Sequence, residues 1–450
     1  MSKELIFQTM RHEKTHRVPW VPFAGVHAGK LKGYTAREVL TDKEKLVESL
    51  IEVNRLYTPD GMPVVFDLQI EAESLGCDLL WSEDNPPSVA SHPLASHKGI
   101  PGDDRIPSKK DGRIPMVLEA MGEVKAAVGD ETALYGLICG PFTLASHLRG
   151  SEIFMDMVTD KDYVRELTAF CTKVCIAMTN YYVEAGMDVI AVVDPLVSQV
   201  SPAFFTDMLA PSFTIVFDHI RNTGTYSSFF VCGNATRQID AMCRTKPDSI
   251  SVDENVDIRK AKEVTDGYNI AMGGNIPLTT TMLFGNQQDN MKYVIDLLDS
   301  MDHHNYILAP GCDMPYDVPM ENVIAATQAV LQTDEARAMV ENYASAGLEA
   351  IEVTLPDYDR LERPLIEVFT LDSATCAACT YMMNSALVVG QHYGDAVDVV
   401  EYKYTRREDI ARMQKMGIAN LPCMYINGEL KWSSIIPSRQ EFFDAVEAVR

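Results

Sequence analysis

Phe229-Phe-Val-Cys232-Gly-Asn234 is a short apolar run that ends at a cysteine, and Tyr306-Ile-Leu-Ala-Pro-Gly-Cys312 repeats the pattern further along the chain. Apolar runs of this length followed by turn residues are typical of buried parallel strands. In parallel α/β folds the carboxyl ends of the strands carry the chemistry. We therefore expect the thiols of Cys232 and Cys312 to converge there and to bind a zinc ion.

Composition and net charge indicate which class of protein this is and which partners are excluded. The chain has 450 residues, of which 46% are hydrophobic and 23% charged, as in an ordinary globular protein. Its formal net charge of −25, from 39 Lys and Arg against 64 Asp and Glu, argues against nucleic acid and anionic membranes as partners. Because the sequence shows neither a membrane-spanning apolar run nor a signal-peptide core, a cytoplasmic location is the expectation.

Outward from these two runs, short apolar strands alternate with amphipathic helices. The strand–helix unit recurs about eight times, and this predicts a (β/α)8 barrel over residues 1–345. Polar or special residues follow nearly every predicted strand, as expected of a catalytic rim. These residues are His27, Asp67, Cys139, Asp194, Cys232, Asp253, Asn275 and Cys312.

The C-terminal part reads as a second, smaller α/β domain. Residues 346–363 look like a linker, and residues 364–450 begin with a strand that leads into Cys376-Ala-Ala-Cys379. A cysteine at the start of a helix has a lowered pKa, which suits thiol–disulfide exchange. With Leu421-Pro422 before a predicted hairpin, a proline we expect to be cis, this segment resembles the thioredoxin/glutaredoxin-like fold. The resemblance implies Cys376 as the attacking thiol and Cys379 as the resolving thiol.

The first domain resembles the uroporphyrinogen decarboxylase superfamily. Its motifs include Gly140-Pro-Phe-Thr, Ser251-Val-Asp253-Glu254 and Gly273-Gly-Asn275, in the order that this superfamily shows. The cysteine pair makes it similar to the corrinoid-dependent branch, the methylcobalamin:coenzyme M methyltransferases. That resemblance implies a zinc site with a His-x-Cys motif and a distant cysteine. Phe230 stands where the family has its histidine, so the resemblance does not identify the third zinc ligand.

Further candidate site residues are predicted from their positions at or near the ends of predicted strands or in the Cys-x-x-Cys motif. Asp253 and Glu254, at the end of the next strand, are the nearest candidates for the third metal ligand, and His27 is another. The alternative to a metal site is that Cys232 and Cys312 are two structural cysteines that bind no metal. His27, Asp67, Glu71 and Asn275 are candidate substrate-binding residues. Asp194 is a candidate catalytic residue, as are Cys376 and Cys379.

The leading functional hypothesis is zinc-assisted methyl transfer between a corrinoid protein and a small thiol or other nucleophile. The methylcobalamin cofactor would be carried by a separate corrinoid protein, since the sequence has no Asp-x-His-x-x-Gly motif. One alternative is a thiol–disulfide redox protein whose barrel binds a ligand. A decarboxylase-like lyase is the other, although residues 20–34 lack the arginine that would hold a polycarboxylate substrate.

Overall fold

A computed structural model describes residues 2–344, 351–373, 377–418, 420–433 and 436–450, with the side chains of residues 377 and 378 left out. The chain forms two compact units that divide near residue 345, apart from Ser198–Val200, which group with the second unit. Each unit is described separately below. Across the described ranges, no helix combines the length and the apolar character needed to cross a membrane.

The first unit is built on a curled parallel sheet of seven strands. Their order is β1-β4-β5-β6-β7-β8-β9, and the remaining two strands, β2 and β3, pair with each other. The nine strands are β1 Gly61–Val65, β2 Leu79–Leu80, β3 Ser88–Val89, β4 Ala133–Cys139, β5 Val189–Val193, β6 Tyr226–Val231, β7 Ser249–Val252, β8 Ala271–Ile276 and β9 Tyr306–Pro310. Every residue of β1, β4, β5, β7, β8 and β9 is buried, as expected for a sheet covered on both faces.

Helices connect these strands, and several begin with the capping residues that the sequence supplies. Asp42 and Asp160 accept a hydrogen bond from the backbone N–H of the third residue after them, Lys45 and Tyr163 respectively. The helices of the first unit are α1 Lys3–Met10, α2 His27–Lys30, α3 Ala36–Thr41, α4 Lys43–Tyr57, α5 Ile70–Ser74, α6 Ile114–Val128, α7 Pro141–Arg149, α8 Glu152–Thr159, α9 Lys161–Glu184, α10 Pro202–Phe204, α11 Ala210–Asn222, α12 Ile239–Arg244, α13 Ile258–Asp266, α14 Gln287–Asp299, α15 Met320–Leu331 and α16 Thr333–Val340. Two π-helical segments, Phe205–Leu209 and Leu278–Leu283, add to them.

The segment around Trp20 bonds to both edge strands of the sheet. Val21 N–H donates to the carbonyl of Leu308 in β9 at 2.9 Å, and Asp60 N–H, just before β1, donates to the carbonyl of Trp20 at 2.9 Å. The predicted strand that ends near His27 is wrong, because only an isolated bridge forms at Trp20. Proline cannot donate to a strand ladder, and Pro19 and Pro22 flank that bridge. His27 begins α2 instead.

Side chains on one face of the curled sheet pack together in a single apolar cluster. Alternate residues of β4, Ala133, Tyr135 and Leu137, belong to it, as period-two alternation along a strand requires. Phe230 of β6 lies in the same cluster, and Cys232 and Cys312 pack against it as partly buried neighbours. The two cysteines therefore lie where the apolar core of the sheet meets the exposed surface.

The second unit has a mixed sheet of four strands in the order β11-β10-β12-β13. Strands β10 and β11 are parallel, whereas β12 pairs antiparallel with both β10 and β13. The Leu421–Pro422 bond directly before β12 is cis, as the sequence predicts. Its elements are β10 Leu365–Thr370, α17 Ala377–Tyr393, β11 Asp398–Lys403, α18 Arg407–Met416, β12 Cys423–Ile426, β13 Glu429–Ser433 and α19 Arg439–Glu447.

Candidate functional site

The candidate site lies at the carboxyl ends of the first unit's parallel strands, which we call the rim. Cys232 directly follows β6, and Cys312 comes two residues after the end of β9. The two sulfurs are joined as a disulfide, with a Cα–Cα distance of 6.1 Å. Because β7 and β8 lie between β6 and β9, only the curl of the sheet brings these strand ends together. The predicted convergence of the two thiols is thus present.

An aromatic cluster lies directly beneath the cysteines. The ring of Phe230 lies 5.0 Å from that of Phe23 and 5.9 Å from that of Phe66, centroid to centroid. Phe230 is 1% exposed. We call these three rings the aromatic floor. Phe230 holds the position where the family resemblance implies a histidine ligand, and its ring has no atom that can bind a metal ion.

The predicted carboxylate ligands lie on the loop after β7. Asp253 is buried and accepts from the backbone N–H of Asn255 at 2.8 Å. Glu254 accepts from the backbone N–H of Leu278. Burial, and then the neighbouring Asp253 carboxylate, raise the pKa of Glu254 to about 8. Both carboxylates are therefore engaged with neighbouring loop amides.

The chemistry of these groups fits zinc in part. Thiolates and carboxylates are ordinary zinc ligands. Here, however, the two sulfurs are bonded to each other and the two carboxylates to backbone amides. Within the described ranges, no group of three or more His, Cys, Asp or Glu side chains is arranged to hold a metal ion. The rim thus supplies two sulfur ligands on reduction but no assembled third ligand.

His27 and Asn275 are both committed to protein contacts. The Nδ1 of His27 lies 3.1 Å from the carbonyl oxygen of Tyr316, and its Nε2 lies 2.7 Å from the hydroxyl of Tyr57. Burial lowers the pKa of His27 to about 4, so the ring is neutral near pH 7. The Nδ2 of Asn275 donates to the carbonyls of Asp253 and Val256 at 3.0 and 2.8 Å. Asn275 therefore holds the loop that carries the predicted carboxylate ligands.

Asp194, directly after β5, binds the start of α7. Its carboxylate accepts from the backbone N–H of Phe142 at 2.9 Å and from the hydroxyl of Thr143 at 2.6 Å. A carboxylate at a helix N-terminus is stabilised by the unpaired amides there. Burial nevertheless raises the pKa of Asp194 to about 6. Gly140 allows this contact, because a side chain at residue 140 would overlap the Asp194 carboxylate.

Asp67 and Glu71 follow β1, which lies at the other edge of the sheet from β9. Asp67 accepts from Nη1 of Arg113 at 2.6 Å, and Arg113 also binds Glu73 through Nε at 2.7 Å. Glu71 accepts from the backbone N–H of Cys139 at 3.0 Å through Oε1. Its Oε2 is buried and has no hydrogen-bond partner among the described residues. Burial raises the pKa of Glu71 to about 8.

The dithiol predicted in the second unit is described only in part. Cys376 lies outside the described residues. Cys379 is buried in α17, and its sulfur lies 3.3 Å from the backbone nitrogen of Leu371. Cys423, after the cis proline, is also buried.

Two further residues near the rim, Arg113 and Asp313, were not predicted as site residues. Arg113 lies in an irregular stretch without a motif, so nothing in the sequence linked it to Asp67. Asp313 directly follows Cys312, and its Oδ1 accepts from the backbone N–H of Gly25 at 2.7 Å. Because Asp313 directly follows Cys312, the sequence alone could have identified it as a candidate site residue. This contact joins the segment before α2 to the loop that carries Cys312.

Comparison with known proteins identifies the family. Residues 1–333 match the uroporphyrinogen decarboxylase (URO-D) family. The chain is 27% identical over 329 residues to the methylcobamide:CoM methyltransferase MtbA of Methanosarcina acetivorans, covering 71% of this chain and 95% of that protein. It is 25% identical over 296 residues to the uroporphyrinogen decarboxylase of Nostoc punctiforme, covering 63% and 82%.

Among solved structures, a methyltransferase from Methanosarcina mazei is similar to this chain with a TM-score of 0.66 and 25% identity. The similarity covers 74% of this chain and 99% of that one. The methyltransferases among these relatives confirm the predicted enzyme class, a methyltransferase, and the solved structure confirms the curled α/β fold of the first unit. With the match covering well over half of its length, the chain belongs to the uroporphyrinogen decarboxylase (URO-D) family.

Proposed function

We propose that the protein transfers a methyl group between a corrinoid protein and a small thiol or other nucleophile. The observation that carries this proposal is the pair of half-buried cysteines, Cys232 and Cys312, brought together at the rim. Its support is the family membership, together with relatives named for methyl transfer from methylcobamide to CoM. Methylcobalamin is proposed to arrive on the partner corrinoid protein.

Zinc is proposed as the metal of this site. In their thiol form Cys232 and Cys312 would hold it, and Asp253 or Glu254 would add an oxygen ligand after giving up a loop amide. When bound, zinc lowers the pKa of a substrate thiol so that it is a nucleophile at neutral pH. The aromatic floor keeps water away from the underside of the sulfurs, which strengthens electrostatic interactions at the site.

Substrate contacts are proposed for the side of the rim that follows β1. The Oε2 of Glu71 has no hydrogen-bond partner among the described residues, and its raised pKa makes it a protonated donor near neutral pH. Asp67 is proposed to contribute to substrate binding through its ion pair with Arg113.

His27 and Asn275 are proposed to act indirectly, through the residues to which they are hydrogen-bonded. Asp194 is proposed to act by holding the loop between β4 and α7, since its oxygens already accept several hydrogen bonds.

For the second unit we propose a thioredoxin-like domain over residues 364–450, after a linker at 346–363 and a domain at 1–345 that is built on the curled sheet. The strand order β11-β10-β12-β13 and the cis Pro422 support the thioredoxin-like assignment. Cys376 and Cys379 would form its exchanging dithiol. Such a domain is suited to keep the rim cysteines reduced.

The test is methyl transfer from free methylcobalamin to 2-mercaptoethanesulfonate and other small thiols, with reduced full-length protein and added zinc. We expect about one zinc per chain, lost in Cys232→Ser and Cys312→Ser together with at least about 100-fold of the activity. Cys243→Ser is the matched control, because Cys243 is a buried cysteine of α12. A folded, reduced protein that transfers no methyl group to any thiol would overturn the proposal.

A thiol–disulfide redox protein is the second candidate, favoured by the strand order β11-β10-β12-β13 and the cis Pro422 of the second unit. It predicts that Cys376→Ser abolishes the activity and that Cys232→Ser leaves it intact. The zinc-assisted transferase predicts the reverse dependence on Cys232. One pair of variants thus separates the two functions.

A further inference from the structure

We propose that the Cys232–Cys312 bond is a reversible, regulatory disulfide, and that the oxidised pair excludes the metal from the rim. The inference rests on the proposed function for its physiological meaning. The disulfide itself is inferred from the geometry of the chain alone. The reductant it requires is a dithiol, either a small molecule or a protein.

The backbone positions of the two cysteines already satisfy a disulfide. Their Cα atoms are 6.1 Å apart, inside the usual range of about 4.4–6.8 Å. They follow strands that are separated by two others in the sheet, so the curl of the whole sheet sets this distance. Oxidation and reduction therefore need no rearrangement of the fold.

Solvent access singles out this pair among the described cysteines. Cys232 and Cys312 are half-buried. The described free cysteines are all buried: Cys77, Cys139, Cys171, Cys175, Cys243, Cys379 and Cys423. Oxidants and reductants act on accessible thiols, whereas buried thiols are inert. Mild oxidation of the first unit is thus directed to the rim.

The surroundings of the pair weaken the competing metal-bound state. Phe230 puts an apolar ring where a third ligand would help to hold a metal, and Phe23 and Phe66 pack against it. The nearby carboxylates of Asp253 and Glu254 are bound to loop amides. Zinc sites ordinarily draw on three or four protein ligands. Because a carboxylate must give up its loop amide before it can serve as the third ligand here, oxidation of the two thiols competes effectively with metal binding.

The reaction is an ordinary thiol–disulfide exchange. A thiolate of the reductant attacks one rim sulfur, the Cys232–Cys312 bond breaks, and the other rim sulfur leaves as a thiolate. The second thiol of the reductant then attacks the mixed disulfide, which yields two rim thiols and an oxidised reductant. Oxidation is a different reaction: hydrogen peroxide takes two electrons and two protons from the two thiols, its O–O bond breaks to give two water molecules, and the Cys232–Cys312 bond forms. A bonded sulfur carries no thiolate charge, so the oxidised pair no longer offers metal ligands.

The experiment uses the full-length protein in three states: reduced with dithiothreitol and loaded with zinc, oxidised with hydrogen peroxide, and reduced again. Alkylation with mass spectrometry reports the thiols, and atomic absorption reports the zinc. We expect peroxide to link the peptides of Cys232 and Cys312 and to lower bound zinc at least tenfold. Dithiothreitol with fresh zinc should restore both the free thiols and the metal.

Two variants sharpen the readout. Cys243→Ser should behave as the wild type does, whereas Cys232→Ser should give no linked peptide. Unlinked rim peptides after peroxide, or zinc fully retained beside a linked pair, would overturn the inference. If the disulfide cycles as expected but the reduced, zinc-loaded protein transfers no methyl group, the proposed function fails while the disulfide stands.

Discussion

The two sides of the rim use their polar atoms differently. On the carboxylate side, Asp67, Glu71 and Asp194 are each no more than 1% exposed and accept hydrogen bonds from backbone amides or from Arg113. On the thiol side, Cys232 and Cys312 are half-buried above apolar rings. Buried carboxylates bound in this way hold loops in place. We therefore propose that the chemistry takes place at the reachable sulfurs and that these carboxylates shape the site around them.

Arg113→Met tests how firmly the carboxylate side is held together. The side chain of Asp67 is 0% exposed and pairs with Arg113 at 2.6 Å. Because removing one partner leaves a buried charge uncompensated, the substitution should lower the free energy of unfolding by about 3–5 kcal/mol. Urea-induced unfolding followed by circular dichroism measures the change.

The double variant Asp67→Asn with Arg113→Met is the control for this pair. Removing both charges should recover part of the loss, because the fully buried carboxylate is gone and Glu73, the other partner of Arg113, is partly exposed. A loss below about 1 kcal/mol in the single variant would mean that the pair is solvated in solution. The contrast between the two sides of the rim would then be weaker than the structure indicates.

Glu71→Gln tests the same side through pH. The folded protein keeps the Glu71 proton up to about pH 8, whereas the unfolded chain loses it near pH 4.5, the ordinary value for a glutamate. The folded state thus binds more protons between these values, and stability falls as pH rises through that window. The amide that replaces the carboxyl group does not titrate. The free energy of unfolding of the variant should therefore rise relative to that of the wild type by about 1.4 kcal/mol per pH unit. The difference should reach about 3 kcal/mol at pH 7.

Unfolding free energies of wild type and variant at pH 5, 6, 7 and 8 give this difference directly. Glu38→Gln is the control, because the hydrogen bond from Lys45 lowers the pKa of Glu38 and its titration falls below the window. A constant difference between wild type and Glu71→Gln from pH 5 to pH 8 would contradict a protonated Glu71. The carboxylate would then be ionised and hydrated.

Seven of the eight predicted strands form the sheet, and the thiol pair was also predicted, both for a local physical reason. Buried strands such as Tyr306–Pro310 are continuous apolar runs, and a cysteine after such a run is visible in the sequence alone. Their convergence followed from parallel strands, whose carboxyl ends meet at one edge. The family resemblance, based on motif order, was confirmed by the match over residues 1–333.

Pairings distant in sequence were not visible. The contact of Asp67 with Arg113 spans 46 residues and involves a loop without periodicity. The strand expected before His27 failed because two prolines limit the ladder to one bridge at Trp20. The commitment of Asp253 and Glu254 to backbone amides depends on loop geometry. Residue type alone identified these carboxylates as candidate ligands without showing what else they bind.

Phe230→His changes the thiol side by the smallest step, one ring in the aromatic floor. An imidazole in place of Phe230 supplies a nitrogen two residues before Cys232, the position at which the family resemblance implies a histidine ligand. The cost in unfolding free energy should be about 1–2 kcal/mol, since a polar ring replaces an apolar one among Phe23 and Phe66. In the reduced state, zinc should bind at least tenfold more tightly than to wild type, because a third ligand joins two thiolates.

Competition with a chromophoric zinc chelator measures this affinity, and Phe66→His is the matched control. It places the same ring in the same cluster, but outside the Cys232 strand. If Phe66→His tightened zinc binding as much as Phe230→His does, any imidazole in the floor would suffice and the strand position would not matter. If Phe230→His alone tightens it and also makes the Cys232–Cys312 bond harder to form with peroxide, metal and disulfide compete for the same two sulfurs. The thiol side would then differ from the carboxylate side in having two alternative chemical states.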